Sequence, residues 1–176
     1  MIKKQRKSLR LRHYDYSQAG LYFITICIQQ HKCLFGQIKD EIMVLNDAGK
    51  EINQCWLEIT HHFPSVKLHQ HVIMPNHLHG IIELVGAPLV GALSSKNAQP
   101  QGIAPTIGTI VGAFKSLSTN CYIKGVKKNG WQPFDRKLWQ RNYYEHIIRS
   151  DESHLKIIEY IDTNALRWQL DKYYTP

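Results

Sequence analysis

One twelve-residue stretch, residues 72–83 with the sequence VIMPNHLHGIIE, constrains the fold of this chain most strongly. Its apolar residues predict two strands on either side of a tight turn at Pro75, which together form a hairpin. Side chains along a strand alternate between the two faces of a sheet, so His77 and His79 are expected to share one face while Leu78 enters a core on the other. Two imidazoles on one strand face predict a metal clamp.

A second histidine pair, His69 and His71, lies in the strand before the turn. We treat this pair as secondary because Gln70, between the two, is a poorer core anchor than Leu78. For either pair, a strand with two solvent-facing histidines is the plain alternative. If all four histidines of the hairpin converged, they would instead suggest a structural zinc site.

Length and composition set the class of protein. At 176 residues, the chain is expected to form one domain spanning residues 1–176. The net charge of +8, from 22 Lys and Arg against 14 Asp and Glu, suggests a polyanionic partner such as nucleic acid. Four cysteines without a CxxC pair predict reduced thiols in the cytoplasm. No apolar run is long enough to span a membrane, so no membrane partner is expected.

Basic residues concentrate in two places. Residues 1–13 form a basic arm that has little to bury and is expected to be mobile until it meets phosphate, with a merely solvated tail as an equal alternative. Its cations are Lys3, Lys4, Arg6, Lys7, Arg10 and Arg12. A second group is predicted in a loop after a helix: Lys124, Lys127 and Lys128. Between the hairpin and that helix, residues 85–105 are rich in Gly, Ala, Pro, Ser and Asn, which predicts a flexible loop.

Aromatic residues alternate with cations after the second basic group. The segment contains Trp131, Phe134, Trp139 and Tyr143, interleaved with basic residues such as Arg141. Aromatic rings stack on bases and cations pair with phosphates, so the pattern is typical of single-strand binding. Half of these rings could equally belong to a core, and Trp139 is the first candidate for that role.

The remaining elements follow from hydrophobic periodicity and capping residues. Strands are predicted over residues 21–29, 37–45, 66–74 and 77–84, and helices over residues 47–60 after an Asn46 cap and over residues 106–122. Asn142 is expected to cap a short helix that ends at Arg149, followed by a longer helix that Ser150 or Asp151 caps.

The terminal helix carries the other candidate site residues in the sequence ESHLKIIEYIDTNALRW. Its predicted buried stripe comprises Leu155, Ile158, Ile161 or Asp162, and Ala165. Tyr160 and Asn164 are four residues apart on an adjacent flank, so they can face one site. A tyrosine in this position is more often a packing residue, and spacing alone does not identify a nucleophile.

Four motifs in order resemble a known family. They are YDYSQAGLYFITIC, HVIMPNHLHGIIEL, LWQRNYYEHIIR and IIEYIDTNALRW, between Tyr14 and Trp168. This succession resembles the REP-associated tyrosine transposases and their relatives, the single-tyrosine HUH transposases. The resemblance implies an α+β fold of the ferredoxin-like type, with an antiparallel sheet of four or five strands and packed helices.

The resemblance also implies an activity and a site. It implies a single-strand DNA endonuclease and strand transferase acting on hairpin or REP-like DNA through a covalent 5′-phosphotyrosine. Tyr160 corresponds to the nucleophile, and His77, His79 and Asn164 correspond to the ligands of Mg²⁺ or Mn²⁺. A homodimer is possible in such a family. Many members have Asn-Pro where this chain has Asn164-Ala165, which puts the end of the helix in doubt. The alternative function is a non-catalytic hairpin-DNA-binding protein on the same fold.

Overall fold

The computed structural model describes residues 18–85 and 105–175. In chain order its elements are β1 (Gly20–Cys27), β2 (Gly36–Lys39), β3 (Ile42–Leu45), α1 (Asp47–Leu57), α2 (Ile59–His62), β4 (Val66–Ile73), β5 (His77–Leu84), α3 (Ile107–Asn129), β6 (Tyr144–Ile148) and α4 (Asp151–Asp162). The predicted basic arm lies outside the described residues, as does the predicted loop apart from its first and last residues. Among the described residues, no helix is long and apolar enough to cross a membrane.

The main sheet has four strands in the order β4-β5-β1-β6, and every neighbouring pair is antiparallel. Helix α1 lies in the chain between β1 and β4, and α3 between β5 and β6, which is the split βαβ arrangement. The α+β fold predicted from the sequence is therefore confirmed. Strand β1, rich in β-branched and aromatic residues, pairs on both sides and is central.

The two faces of this sheet pack against different helices. On one face, Ile24, Leu78 and Ile82 lie in a core that includes Trp56 of α1 and Phe114 of α3. The opposite face carries a smaller cluster in which Phe23, Ile81 and Ile148 contact Ile161 of α4. Because side chains alternate in direction along β1 and β5, one face of the sheet packs on the main core and the other face is covered by α4.

Residues 37–45 form a hairpin rather than the predicted single strand. Asp40 and Glu41 take left-handed φ values of 47° and 64°, and the chain reverses there between β2 and β3. The two strands form a separate two-stranded sheet. The predicted cap is confirmed, since the Asn46 side chain accepts a hydrogen bond from the Gly49 amide at 2.8 Å.

Helix α3 is longer than predicted, and it includes the residues expected in a loop. Thr106 caps its start, and Gly130 ends it with a left-handed φ of 68°. Lys124, Lys127 and Lys128 therefore lie on the last turns of a helix. Gly125 does not break the helix, because the Trp131 ring packs where its side chain would be.

The segment expected to form a short helix after Asn142 is instead strand β6. It pairs with the free edge of β1, from Tyr144 opposite Thr25 to Ile148 opposite Leu21. The ladder with β1 satisfies backbone groups that a short isolated helix would leave open.

Helix α4 begins at the predicted Ser150 cap but ends at Asp162, before Asn164. The Thr163 hydroxyl donates to the Glu159 carbonyl at 2.7 Å, and the chain then continues in turns. Leu155, predicted to be buried, is 66% exposed, whereas Ile161 is buried against the sheet.

Candidate active site

The two histidines of β5 lie together beneath α4 on the face predicted for them. His77 and His79 are 0% and 1% exposed, and their Nε2 atoms are 3.0 Å apart. Leu78 is fully buried on the other side of the strand. The strand alternation therefore presents both imidazoles to one point.

Neighbouring side chains orient both rings. The Asn76 amide nitrogen donates to the backbone carbonyls of His31 and Tyr173 at 3.0 and 2.7 Å, which leaves its oxygen facing His77 Nδ1 at 2.8 Å. Because that oxygen can only accept, His77 carries its proton on Nδ1 and presents a lone pair at Nε2. The Thr25 hydroxyl lies 2.8 Å from Nδ1 of His79. Such partners on the far nitrogen are usual for metal-binding imidazoles.

Burial keeps both imidazoles neutral. It lowers the pKa of His79 to about 3, and the nearby Lys172 ammonium adds to the effect. Burial also lowers the pKa of His77 well below its usual range, with His79 as a further cause. A neutral imidazole is the form that binds a metal ion, so both Nε2 atoms are available as ligands at neutral pH.

The Tyr160 side chain on α4 reaches the same point. Its hydroxyl lies 3.1 Å from His79 Nε2. Phe23 of β1 fixes both partners, because its ring stacks on His79 and meets the Tyr160 ring edge-on, with centroid distances of 5.4 and 6.1 Å. Burial, and to a smaller extent the Asp171 carboxylate, raise the pKa of Tyr160 to about 12, against a hydrogen bond from Asn164 that lowers it.

Asn164 lies just beyond α4 and is 3% exposed. Its amide nitrogen donates to the Asp171 carboxylate at 3.4 Å, and its Oδ1 atom is buried with no hydrogen-bond partner among the described residues. A buried acceptor without a partner costs about 1–3 kcal/mol. This oxygen is therefore a candidate for a ligand position.

Asp171 joins the site although the sequence patterns did not single it out. Its carboxylate oxygen and one ring nitrogen each of His77 and His79 lie within 4.8 Å of one another. Asp171 follows the short 3₁₀ turn Trp168–Leu170, in a segment with no periodicity. The only available signal was an acidic residue after the terminal helix, which is too general to identify a ligand.

These residues fit a divalent cation. If two ligand atoms each lie about 2.1 Å from an ion with a right angle between them, they are about 3 Å apart. This distance matches the separation of the two Nε2 atoms. The neutral imidazoles could supply nitrogen ligands, and Asn164 and Asp171 could supply oxygen ligands. This mixed set suits Mn²⁺ and is also compatible with Mg²⁺. The arrangement is thus compatible with the predicted metal.

The competing pair in β4 does not converge on this point. A bulge between Leu68 and His71 changes the strand register. His69 Nε2 lies 2.8 Å from a Glu83 carboxylate oxygen, whereas His71 Nε2 lies 2.8 Å from the Asn53 amide oxygen of α1. The zinc site of four hairpin histidines, considered from the sequence, is therefore wrong.

The predicted DNA-binding residues occupy separate surfaces. Lys124, Lys127 and Lys128 are exposed on the end of α3. Arg141 is exposed elsewhere, where it lines a shallow cavity of about 340 Å³ together with Arg136 and Lys137. Lys3, Lys4, Arg6, Lys7, Arg10 and Arg12 lie outside the described residues.

Most of the interleaved aromatic residues pack inside. Trp139 is 4% exposed and its indole donates to the Ser118 hydroxyl at 2.9 Å, so it is a core residue. Trp131 and Phe134 both pack against the ring of Tyr122. The expectation that Trp139 is a core residue is therefore confirmed, and Trp131 and Phe134 also pack against a buried residue, Tyr122.

Tyr144 is an exposed aromatic residue close to the site, at 40% exposure. Its ring meets Phe23 edge-on at 6.4 Å, and the Lys172 ammonium lies 5.3 Å from the ring centre. Phe23 and Tyr144 also line a cavity of about 460 Å³ between β6 and the first half of α4, with Ser153 and Lys156 on the helix side. This cavity adjoins Tyr160 through the shared Phe23 ring.

Comparison with known proteins agrees with the fold and the motifs. No protein-family model matches the chain. An uncharacterized protein of Haemophilus influenzae is 46% identical over 176 residues, covering 96% of this chain and 93% of that protein. A second H. influenzae protein, provisionally named a REP-associated tyrosine transposase, is 24% identical over 156 residues, covering 87% of this chain and 74% of its own length.

A solved structure shares the fold. The structure of a REP-associated tyrosine transposase bound to a REP hairpin superposes with a TM-score of 0.59 at 17% identity, covering 90% of this chain and 73% of that one. The sequence relative and the shared fold agree with the four ordered motifs. By sequence, this chain is similar to a provisionally named REP-associated tyrosine transposase, and it shares the fold of a solved member of that family.

Proposed function

We propose that this protein cleaves and rejoins single-stranded or hairpin DNA in a metal-dependent reaction, with Tyr160 as the nucleophile. One observation carries the proposal: the Tyr160 hydroxyl lies 3.1 Å from His79 Nε2, which is itself 3.0 Å from His77 Nε2. A protein that only binds DNA has no need of a tyrosine hydroxyl at two buried, neutral imidazoles. The related transposase bound to a REP hairpin supports the substrate class.

The proposed ligands of the cation are His77, His79 and the oxygens of Asn164 and Asp171. A bound Mg²⁺ or Mn²⁺ supplies positive charge that offsets the charge of the phosphodiester and favours ionisation of a nearby hydroxyl. The protein orients the two imidazoles through Asn76 and Thr25. It also keeps the imidazoles neutral by burial.

In the first step, Tyr160 Oη forms a bond to phosphorus and the bond from phosphorus to the 3′ oxygen breaks. Tyr160 gives up its hydroxyl proton, and the leaving 3′ oxygen takes up one proton to become a 3′-OH. The 5′ phosphate remains on Tyr160. In the second step a 3′-OH attacks that phosphorus, the bond to Tyr160 breaks, and the tyrosine regains its proton. One site therefore performs both cleavage and joining.

The cavity beside Tyr160 supports a single-stranded substrate. The cavity is lined by the exposed Tyr144 ring, which offers a stacking surface, and by Lys156, whose ammonium pairs with the Glu152 carboxylate at 2.6 Å. A base next to the scissile phosphate could stack on Tyr144, which requires that the base be unpaired.

The test is covalent capture of DNA. Single-stranded oligonucleotides from the flanks of the gene, labelled at either the 5′ or the 3′ end, are incubated with the protein and Mg²⁺ or Mn²⁺ and then denatured. We expect an adduct that carries only the 3′ label, because the fragment with the 5′ phosphate stays on Tyr160. A chelator should prevent its formation.

The alternative function predicts a different result. If the protein is a non-catalytic hairpin-binding protein, it will shift hairpin DNA in a gel and form no adduct with either metal. An adduct that carries the 5′ label would contradict the proposed direction of cleavage. An adduct that persists in Tyr160→Phe would contradict the proposed nucleophile.

A further inference from the structure

A second group of potential metal ligands lies on the opposite side of the sheet, between α1 and α3. Glu51 and Cys55 are one helical turn apart on α1, and Cys121 faces them from α3. One carboxylate oxygen and the two sulfur atoms lie within 4.8 Å of one another. This is one of two such groups among the described residues, and the proposed cleavage reaction does not use it.

The cluster runs from the core to the surface. Cys55 is 3% exposed, Cys121 is half-buried and Glu51 is exposed. An ion could therefore enter from the Glu51 side without opening the core. The two sulfur ligands would come from different helices, so an ion held by them would join α1 to α3.

The local charge favours a cation. Burial, together with the Cys121 thiol and the carboxylates of Glu51 and Glu58, raises the pKa of Cys55 to about 12. The same carboxylates that oppose a lone thiolate would attract a positive ion. The ion would compensate the charge of both thiolates and would make their deprotonation favourable.

We propose that Glu51, Cys55 and Cys121 bind Zn²⁺ and that the ion holds α1 and α3 together. Binding releases the two thiol protons to solvent and forms two zinc–sulfur bonds and one zinc–oxygen bond, with water completing a tetrahedral set at the exposed side. Sulfur ligands about 2.3 Å from zinc lie roughly 3.8 Å apart, so the cluster needs to contract by no more than about 1 Å.

Ligand type separates this site from the histidine site. Thiolates select zinc and related soft ions, whereas the imidazole and oxygen ligands of the candidate active site are compatible with Mg²⁺ or Mn²⁺. The two sites lie on opposite faces of the sheet. The zinc proposal therefore does not rest on the proposed DNA chemistry and can be tested without it.

The test is a Co²⁺ titration of the reduced, metal-free full chain, because cobalt bound to thiolate gives an intense near-ultraviolet charge-transfer band and cobalt bound to imidazole does not. We expect the band to saturate with one sulfur-bound cobalt and to disappear when Zn²⁺ displaces it. Cys121→Ser should abolish the band. Cys33→Ser, at an exposed thiol outside the cluster, and His77→Ala should leave it unchanged.

Two further variants keep the test decisive. Glu51→Gln changes an exposed side chain, so folding is not in question, and it should weaken zinc affinity by about 10-fold or more. Cys27→Ser removes the buried thiol near the histidine site and should have no effect on the band. The proposal is overturned if the wild type gives no band, if Cys27 rather than Cys121 is required, or if the thiols form a disulfide in the presence of zinc.

Discussion

At the scale of single residues, burial has opposite effects on the two kinds of group at the candidate active site. It lowers the pKa of His79 to about 3 and raises that of Tyr160 to about 12. Both shifts follow from the cost of placing a charge away from water. The imidazoles are therefore ready to bind a cation, while Tyr160 keeps its proton until a positive charge arrives. Under the proposed function, the reactivity of Tyr160 would in this way depend on metal binding.

The first prediction concerns the nucleophile. Tyr160→Phe should lower cleavage of a single-stranded substrate by at least about 10³-fold, because the attacking oxygen is lost. Hairpin affinity, measured by gel shift, should change little because the ring remains in contact with Phe23. Tyr144→Phe is the matched control and should retain cleavage. If Tyr144→Phe abolishes the adduct and Tyr160→Phe does not, Tyr144 is the nucleophile.

The second prediction concerns the ligands, and it is measured as Mn²⁺ affinity by calorimetry rather than as cleavage. His77→Ala or His79→Ala should remove measurable binding, since each deletes a neutral nitrogen ligand. Asn164→Ala and Asp171→Asn should each weaken binding by about 10- to 100-fold. If Asp171→Asn binds Mn²⁺ as the wild type does, Asp171 only orients Asn164 through their hydrogen bond.

At the scale of elements, two glycines on α3 have opposite roles. A side chain at Gly125 would overlap the Trp131 ring, whereas nothing lies within 4 Å of the position a side chain would take at Gly112. Gly125→Ala should therefore lower the free energy of unfolding by about 1–3 kcal/mol through overpacking. Gly112→Ala should raise it by up to about 1 kcal/mol, because alanine favours a helix. Urea denaturation measures the free energy of unfolding of both variants. If the two substitutions have equal effects, the packing of Trp131 does not depend on the missing side chain at Gly125.

The cavity between β6 and α4 gives the next prediction. Tyr144→Ala should weaken binding of a single-stranded oligonucleotide by about 5- to 150-fold, equivalent to ~1–3 kcal/mol for one stacked base, and Tyr144→Phe should not. A series of oligonucleotides with one abasic position each tests the cause. At the stacked position, the abasic oligonucleotide should bind the wild type and Tyr144→Ala equally. If no such position exists, Tyr144 does not stack on a base.

Elements could be predicted from the sequence where the hydrophobic period and the capping residues lie within or next to the element itself. The β4–β5 hairpin, the Asn46 cap and the Ser150 cap are found where the pattern placed them. Strand β6 could not, because its conformation depends on the free edge of β1, which lies far away in sequence. The lysines at the end of α3 were expected in a loop because Gly125 suggested a break, whereas in the structure Gly125 lies inside the helix and packs against Trp131.

Some residues of the candidate site could likewise be predicted from the sequence, and others could not. His77 and His79 share a face because of the strand period alone, so the sequence was sufficient. Asp171 comes from a segment without periodicity, and only the path of the chain after α4 brings it to the imidazoles. Asn164 was identified through a resemblance, and the expected helix around it ends two residues earlier.

At the scale of the whole molecule, β5 serves both faces of the sheet. Its odd positions His77, His79 and Ile81 face α4, and its even positions Leu78 and Ile82 lie in the core with α1 and α3. The candidate active site therefore rests directly on the main core. The proposed zinc ion would hold together α1 and α3, the helices on the far side of that core. It would have a structural role, whereas the ion proposed at the histidines would take part in catalysis.

The last prediction concerns how the net charge of +8 is used. Lys124, Lys127 and Lys128 are exposed at one end of α3, on the opposite face from the histidines. If all three contact phosphates of a single strand, changing them together to Gln should reduce the slope of log K against log salt by about 2, or roughly 0.7 for each contact. Lys50→Gln, which removes a lysine that pairs with Asp47 on α1, is the control and should leave the slope unchanged.

Neutralising Lys3, Lys4, Arg6 and Lys7 together tests the arm in the same assay, with a loss of roughly 0.7 in slope for each contact. The two sets are independent, so their effects should add if one strand contacts both. A reduced slope for the arm alone would mean that the lysines of α3 do not contact the DNA. In that case the lysines of α3 would have no role in holding the strand that reaches Tyr160. An unchanged slope in both variants would refute a role for either group in DNA binding.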